Sequence, residues 1–432
     1  MAKHALVISL DALGYSDLRD RLQFLPNIAA IIERGTWVKE VRGVYPSITY
    51  PSHTSIITGE FPKKHGIINA TLIQPERISP DWYWYAKHIK VPTVYDLARE
   101  QGLTTAAFLW PVTAGAKINW NIAEIFPNRI WTNQYTTSLK ASSPLFLLAM
   151  DRKYGQLRDG INQPELDNFI TASAVDTIVT KKPNLTLIHL VDMDSHRHRY
   201  GVRSQQALDA MVRLDAHVGQ LVQATKDAGI YEDADFMLLG DHYQLNVDKM
   251  IHLNMLFEEQ GWLRGTRNGR VRRDWQVLAK HTDGATYIYL RDGSLHDAVR
   301  ALVRQVEGVK NVFEHAELVE LGADPKASFM IEAKDTYYFT DETHRPAVVE
   351  EVTSEMLEAG EPDRYKGTHG YLPSHNNYTT TLVLAGPDIK AGQVLNLDVN
   401  LTDEGPTMAA LLGLKFENQV AGKQITQAFK ES

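Results

Sequence analysis

The chain has no cysteine in its 432 residues. Disulfides, thiolate catalysis and cysteine-built zinc sites are therefore excluded. So is a nucleophile made by modifying cysteine, as sulfatases use. Long apolar runs are missing too. The first hydrophobic stretch, residues 5–10, is too short to cross a membrane and is followed by no small-residue cleavage site. No other segment reads as membrane-spanning, so the expected address is cytoplasmic, with no membrane partner. There is no basic surplus: the net charge is −8, which argues against general nucleic-acid binding. An acidic chain can still take a nucleotide if a metal supplies local positive charge. Repeats and low-complexity tracts are absent. What is left is an ordinary globular composition, 44% hydrophobic and 23% charged. The length allows two or three domains, or one α/β domain with insertions.

The chain is organised around residues 44–66, VYPSITYPSHTSIITGEFPKKHG. An apolar approach runs into a Pro-interrupted turn. Pro51-Ser52-His53-Thr54 then opens an amphipathic run that stops at Gly59. Pro near a helix start and Gly past a last turn are boundary signals. Thr49 and Ser52 are thus expected near the N-terminus of a short helix, where free N–H groups and the dipole favour an anion. A hydroxyl held there beside a metal can act as a nucleophile. The bland alternative is an N-capping Ser or Thr with no chemistry.

Elsewhere the pattern alternates buried strands with amphipathic helices. Residues 5–10, 105–110, 185–191 and 234–239 are continuous apolar runs, as expected of parallel strands buried on both faces. Helices are expected over 25–34, 91–102, 168–181 and 205–227. Asp11, the Asp192–His198 stretch and Asp241-His242 each follow one of these strands. Ligands bind beyond the carboxyl ends of such strands. One Asp there is often a helix cap; the recurrence at three strand ends is hard to explain by capping. Residues 246–365 change character, with helices expected over 254–260 and 295–307 and strands over 285–290, 309–312 and 328–332. This reads as a small α+β cap inserted between core segments 1–245 and 366–432. Gly367-Thr368-His369-Gly370 then precedes another apolar strand, 379–385, and Asp403-Glu404-Gly405-Pro406 reads as the start of a last helix. Trp82-Tyr83-Trp84-Tyr85 lies in a loop, either packed or touching substrate.

The polar groups at strand ends are Asp11, Thr49, Asp194, His198, Asp241, His242 and His369. Carboxylates and imidazoles without thiols suit zinc, with manganese as second choice. A lone His is more often a hydrogen-bonded structural residue. Seven ligand candidates exceed one tetrahedral ion and fit two, about 3.5–4 Å apart, as in-line phosphoryl transfer uses.

In combination these segments resemble the alkaline phosphatase superfamily, and within it the nucleotide pyrophosphatase/phosphodiesterase branch. The matching pieces are VISLDALG, YPSITYPSHTSIITGEFPKKHGI, LWPVTAGA, HLVDMDSHRHRYG, GDH, GTHGYLP and DEGPTMAALLGL, spread over nearly the whole chain. The resemblance implies an α/β fold, with a mostly parallel central sheet and helices on both faces. It implies Thr49 as the nucleophile that carries a covalent phospho-intermediate. Asp194, His198 and His369 match the ligands of the first metal, and Asp11, Thr49, Asp241 and His242 those of the second. The Asp-to-His spacing of four, with Gly201 after it, selects Asp194 over Asp192 and His198 over His196. Tyr50 takes the position of an aromatic platform for the leaving group. Three departures stand out. Ser52 replaces a frequent Asn, and Tyr243 replaces the usual Gly after the Asp-His pair. A phosphate-binding Asn falls at Ala70, with Asn69 beside it.

The implied activity is metal-dependent hydrolysis of a phosphodiester or pyrophosphate, on a small nucleotide-like phosphate ester. Rivals on the same site are a phosphonate hydrolase of the phosphonoacetate type and a phosphomonoesterase. The latter would want a cation for the extra charge; Arg42, Lys63, Lys64 and Lys366 lie near motifs but read as surface charges. A catalytically silent metal-binding protein is the alternative of another class. Nothing in the sequence sets the oligomeric state.

Overall fold

The protein is described over residues 3–431 by a computed structural model. In β1 (His4–Leu10), side chains alternate between two cores. Leu6, Ile8 and Leu10 pack with Phe108, Ile170 and Leu214 on one face. Ala5 and Val7 pack with Ile56, Ile57 and Met408 on the other. That double burial is why the strand is continuously apolar. β1 is joined by β2 (Gly35–Arg42), β3 (Thr105–Phe108), β4 (Trp120–Ile122), β5 (Leu185–Leu190) and β6 (Ala234–Leu239). Three late strands, Thr380–Ala385, Gln393–Leu395 and Val399–Asn400, complete a nine-stranded sheet. Its order is Gln393–Leu395, β2, Thr380–Ala385, β6, β1, β5, β3, β4, with Val399–Asn400 also on β2. Thr380–Ala385 runs antiparallel to β2 and β6, and every other described pairing in this sheet is parallel. The mostly parallel α/β architecture expected from the strand pattern is therefore what the chain adopts.

Helices cover both faces. Pro26–Glu33, Glu165–Lys181 and Gln205–Asp227 bury their stripes in the first core, and Thr49–Thr58, Val94–Glu100 and Leu401–Leu411 in the second. Most expected helices appear within a few residues of their expected bounds. The last one differs: it begins at Leu401, capped by Asn400, and Pro406 lies inside it. Gly405 and Pro406 there press on Gly59, where a Cβ on Gly405 would stand 2.5 Å from the Gly59 nitrogen. Close packing between two helices, rather than a helix start, explains that Gly-Pro pair. Among the described residues no helix is long and apolar enough to cross a membrane.

Between β6 and Thr380–Ala385 the chain builds two smaller sheets. Val277–His281, Ala285–Leu290, Val309–Glu314 and Phe329–Ala333 form an antiparallel one. Leu245–Ile251 pairs with Thr336–Phe339, Val349–Glu351 and Gly367–Thr368 in the other. Phe257, Ile288, Phe329, Ile331 and Tyr338 centre their apolar core.

Candidate active site

The helix Thr49–Thr58 ends on Gly59, whose φ of 68° is the left-handed turn that glycine adopts without strain. Its N-cap is Ile48, which has no side-chain acceptor. Thr49 is the first helical residue, so its hydroxyl is not used in capping. Thr49 Oγ1 lies 3.1 Å from His242 Nε2.

The parallel strands bring the other groups to the same edge. Asp11 follows β1, and Asp241-His242 follows β6. His242 Nε2 stands 3.2 Å from Asp11 Oδ1 and 3.3 Å from Asp241 Oδ2. Thr49, Asp11, Asp241 and His242 thus converge on one small volume. Asp194 and His198 lie on a helix, Asp192–Tyr200, rather than in a tight turn. Their i, i+4 spacing puts them on one face, with His198 Nε2 3.4 Å from Asp194 Oδ2. His369 Nε2 is 4.0 Å from Asp194 Oδ1, and its ring centre is 4.3 Å from that of His242. Asp194, His198 and His369 form one group of atoms within 4.8 Å of one another, and Asp11, Asp194 and His242 form a second. Asp194 belongs to both. All seven residues singled out from the sequence therefore meet.

Their chemistry fits divalent cations. Asp11 Oδ1 and Asp241 Oδ2, which both stand near His242 Nε2, are buried without a hydrogen-bond partner. Burial, then the charge of Asp194, pushes the Asp11 carboxyl well above its ordinary range. Burial, then Asp11, does the same to Asp241. Burial, then the neighbouring imidazoles led by His369, pushes His242 well below its ordinary value. Crowded carboxylates lack a positive charge, and neutral imidazoles offer lone pairs; a bound divalent ion satisfies both.

Several supporting residues carry no sequence signal. His53 lies within the Thr49–Thr58 helix; its Nδ1–H donates to Thr49 O at 2.8 Å, and Ser9 Oγ pairs with its Nε2 at 2.9 Å. His189 spans the Leu109 carbonyl, 3.2 Å from Nδ1, and Asp11 Oδ2, 3.0 Å from Nε2. His53, His189 and Asp241 also form a compact group, but these histidine nitrogens already have partners. They back the carboxylates rather than form a further metal site. Gln244 donates to Asp194 Oδ1. His198 Nδ1–H donates to Gly367 O at 2.8 Å, leaving Nε2 for the site. Asp192 and His196 pair with each other at 2.9 Å, and Arg213 Nε donates to Asp192 at 2.7 Å, away from this cluster.

The departures have local accounts in two of three cases. Tyr243 packs over Gly14, where a Cβ would stand 2.3 Å from its ring, and accepts from Ser16 Oγ at 2.9 Å. Asn69 donates Nδ2–H to His281 O at 2.9 Å and accepts from Ala70 N at 2.7 Å, so backbone engages much of its amide. Ser52 is buried with no partner for its hydroxyl, and nothing around it explains the exchange.

Asp11, Thr49, Asp194, His198 and His369 of this cluster line a cavity of about 810 Å³. Tyr50 and Trp82, 5.4 Å apart edge to face, form one wall, whereas Trp84 is buried behind them against Phe126. Arg267, Lys280, His281 and Arg364 contribute cations to the lining; Arg42, Lys63, Lys64 and Lys366 do not. Burial opposes a charge on His281, but Asp341 and the bond to Asp283 outweigh it and push the imidazole up to about 9. A folded pKa above the unfolded value of about 6.5 means that the protonated form stabilises the fold. That contribution is complete below about pH 6.5 and is lost as pH rises through about 9. The melting temperature should therefore fall across this window, and less steeply in His281→Gln. Equal slopes in the two proteins would refute the assignment.

Comparison with known proteins gives a consistent answer. The profile of type I phosphodiesterase / nucleotide pyrophosphatase matches residues 5–372. Human ectonucleotide pyrophosphatase/phosphodiesterase family member 1 is 26% identical over 264 residues, 58% of this chain and 24% of that protein. Venom phosphodiesterase 2 of Crotalus adamanteus is 24% identical over 265 residues, 58% of this chain and 28% of its own. The matched stretch is thus about a quarter of the length of these relatives. Murine ectonucleotide pyrophosphatase / phosphodiesterase 5, solved as an inactive variant in complex with AMP, superposes with a TM-score of 0.69 at 17% identity. That superposition covers 100% of both chains and bears on the fold alone. With its profile spanning most of the sequence, the chain belongs to the type I phosphodiesterase / nucleotide pyrophosphatase family.

Proposed function

We propose that this chain hydrolyses phosphodiester or pyrophosphate bonds of nucleotide-like substrates through a phosphorylated Thr49. The observation that carries this reading is the Thr49 hydroxyl. It is not used for capping and lies 3.1 Å from His242 Nε2 on the floor of the cavity. Asp11, Asp241 and His242, with Thr49, would hold one divalent ion, and Asp194, His198 and His369 the other. Two ions held there would supply positive charge to the attacking and leaving oxygens and lower the pKa of the hydroxyl and of water. Zinc suits these donors best.

The protein's own groups account for the remaining steps. Thr49 Oγ1 gives its proton to solvent and attacks phosphorus in line; the P–O bond opposite breaks, and the ester oxygen leaves with its electron pair and takes a proton from water. The N–H groups of Thr49 and Tyr50, in the helix's first turn, take the phosphoryl oxygens; Pro51 has no N–H, and the Ser52 N–H is bonded to Ile48 O. Water then displaces Thr49 from phosphorus and regenerates the hydroxyl. Tyr50 and Trp82 give the leaving group an aromatic wall. The AMP held by the murine relative is of the class this wall would accept. Residues 246–365 act as a cap that helps choose the substrate.

Lys280, His281 and Arg364 are paired with Asp341, Asp283 and Glu342 on the same lining, so it is Arg267 that favours a second reading, in which the substrate bears a further acidic group, as a monoester or phosphonoacetate does. A panel separates the two. With an aryl phosphodiester, an aryl phosphomonoester and phosphonoacetate, kcat/KM for the diester should lead by about tenfold or more, a difference of about 1.4 kcal/mol in transition-state binding. A lead for phosphonoacetate or the monoester would overturn the diester reading while leaving the nucleophile in place.

A further inference from the structure

Asp283 belongs to residues 246–365, the inserted segment, yet it reaches His369, which follows that segment in the chain. It sits in the turn between the strands Val277–His281 and Ala285–Leu290. Its φ of 62° lies in the left-handed region that residues with a Cβ seldom adopt. The surrounding backbone holds it there. Phe339 N–H donates to Asp283 O at 2.8 Å, and Gly284 N–H donates to His369 O at 2.8 Å. The two segments touch so closely that a Cβ on Gly370 would lie 1.7 Å from Thr282 O, and one on Gly284 2.5 Å from the Tyr371 ring.

The side chain completes this clasp. Thr368 Oγ1 donates to Asp283 Oδ2 at 3.0 Å. His369 Nδ1 stands 3.2 Å from the same oxygen, off the line of a direct hydrogen bond. His281 Nδ1 is 3.2 Å from Oδ1. A carboxylate beside one ring nitrogen favours the proton on that nitrogen and leaves the other as a lone-pair donor. Here the other is Nε2, which faces Asp194. Gly367 O does the same for His198, so both histidines of this group have their Nδ1 sides engaged from outside.

We propose that Asp283 is a positioning residue for the group formed by Asp194, His198 and His369. It sets the tautomer and ring orientation of His369, and so makes metal retention depend on the inserted segment. The inference rests on the reading that these three residues hold a divalent ion.

The test uses the full chain with zinc, titrated against a chromophoric chelator, and the visible spectrum of the cobalt-loaded protein. In Asp283→Ala one of two zinc sites should weaken by about 10- to 100-fold, with the other unchanged. The cobalt absorption of the weakened site should change with it. Asp283→Asn keeps the shape and an acceptor without the charge, so it should fall between wild type and Asp283→Ala. It decides the matter if the alanine variant does not fold. Metal-free melting temperatures separate a general loss of stability from loss of the site; the cobalt spectrum does not respond to the former. Two sites of wild-type affinity and an unchanged spectrum in the variants would overturn the role of Asp283 alone. A wild-type protein that binds no divalent ion would overturn the metal reading, and this inference with it.

Discussion

Thr49→Ala should lower phosphodiester turnover by about 10⁴-fold or more, with the melting temperature nearly unchanged. Two observations set these magnitudes apart. The hydroxyl lies 3.1 Å from His242 Nε2, at the convergence of Asp11 and Asp241, so its removal deletes the attacking atom. The helix is capped by Ile48, so the loss of about 0.5–2 kcal/mol that follows removal of a capping hydroxyl does not apply. Thr49→Ser should retain part of the activity, since it offers the same oxygen. Ser47 points its hydroxyl at Tyr378 OH, 3.2 Å away, and Ser47→Ala should be mild. Normal turnover in Thr49→Ala together with a dead Ser47→Ala or Ser52→Ala would show that the nucleophile has been placed on the wrong hydroxyl.

Exhaustive chelation should abolish turnover, with zinc restoring it best and manganese second. It should also destabilise the fold. A ligand present at a thousand times its Kd adds about 4 kcal/mol to the folded state. Removing it leaves Asp11 Oδ1 and Asp241 Oδ2 buried without partners. Melting curves with and without chelator, alongside elemental analysis, measure both effects. Undiminished activity in protein shown to be metal-free would refute the proposed chemistry.

Much of the site was legible because buried parallel strands have a plain signature. β1, β5 and β6 are mainly apolar and almost wholly buried, so the polar residues just beyond each mark the sheet's carboxyl edge. The groups missed were those whose chemistry leaves no pattern. His53 and His189 lie inside a helix and a strand, where spacing does not distinguish a histidine that orients a carboxylate from one that packs. Asp192–Tyr200 carries too few apolar residues to show a helical stripe. β4 has three residues, too short for periodicity to register. Asp283 had no motif around it. Its importance follows from a turn that approaches His369 through contacts 86 residues distant in sequence (Asp283 to His369), and such pairings are invisible in a single chain read locally.

The place of Thr380–Ala385 bears on how the protein comes together during synthesis. Among the described residues, β2 pairs only with Thr380–Ala385, Gln393–Leu395 and Val399–Asn400. The chain entering Thr49 therefore has no strand partner until residues 380–400 have been made. β1, β5 and β6 can pair among themselves well before that. A nascent chain released at the ribosome before residue 380 would carry the partial sheet that bears Asp11 and Asp241, but β2 would have no strand to join it there. Assembly of Thr49 with its neighbours thus waits until residues 380–400 have been made. Pairings so far apart in sequence also slow refolding of the finished chain.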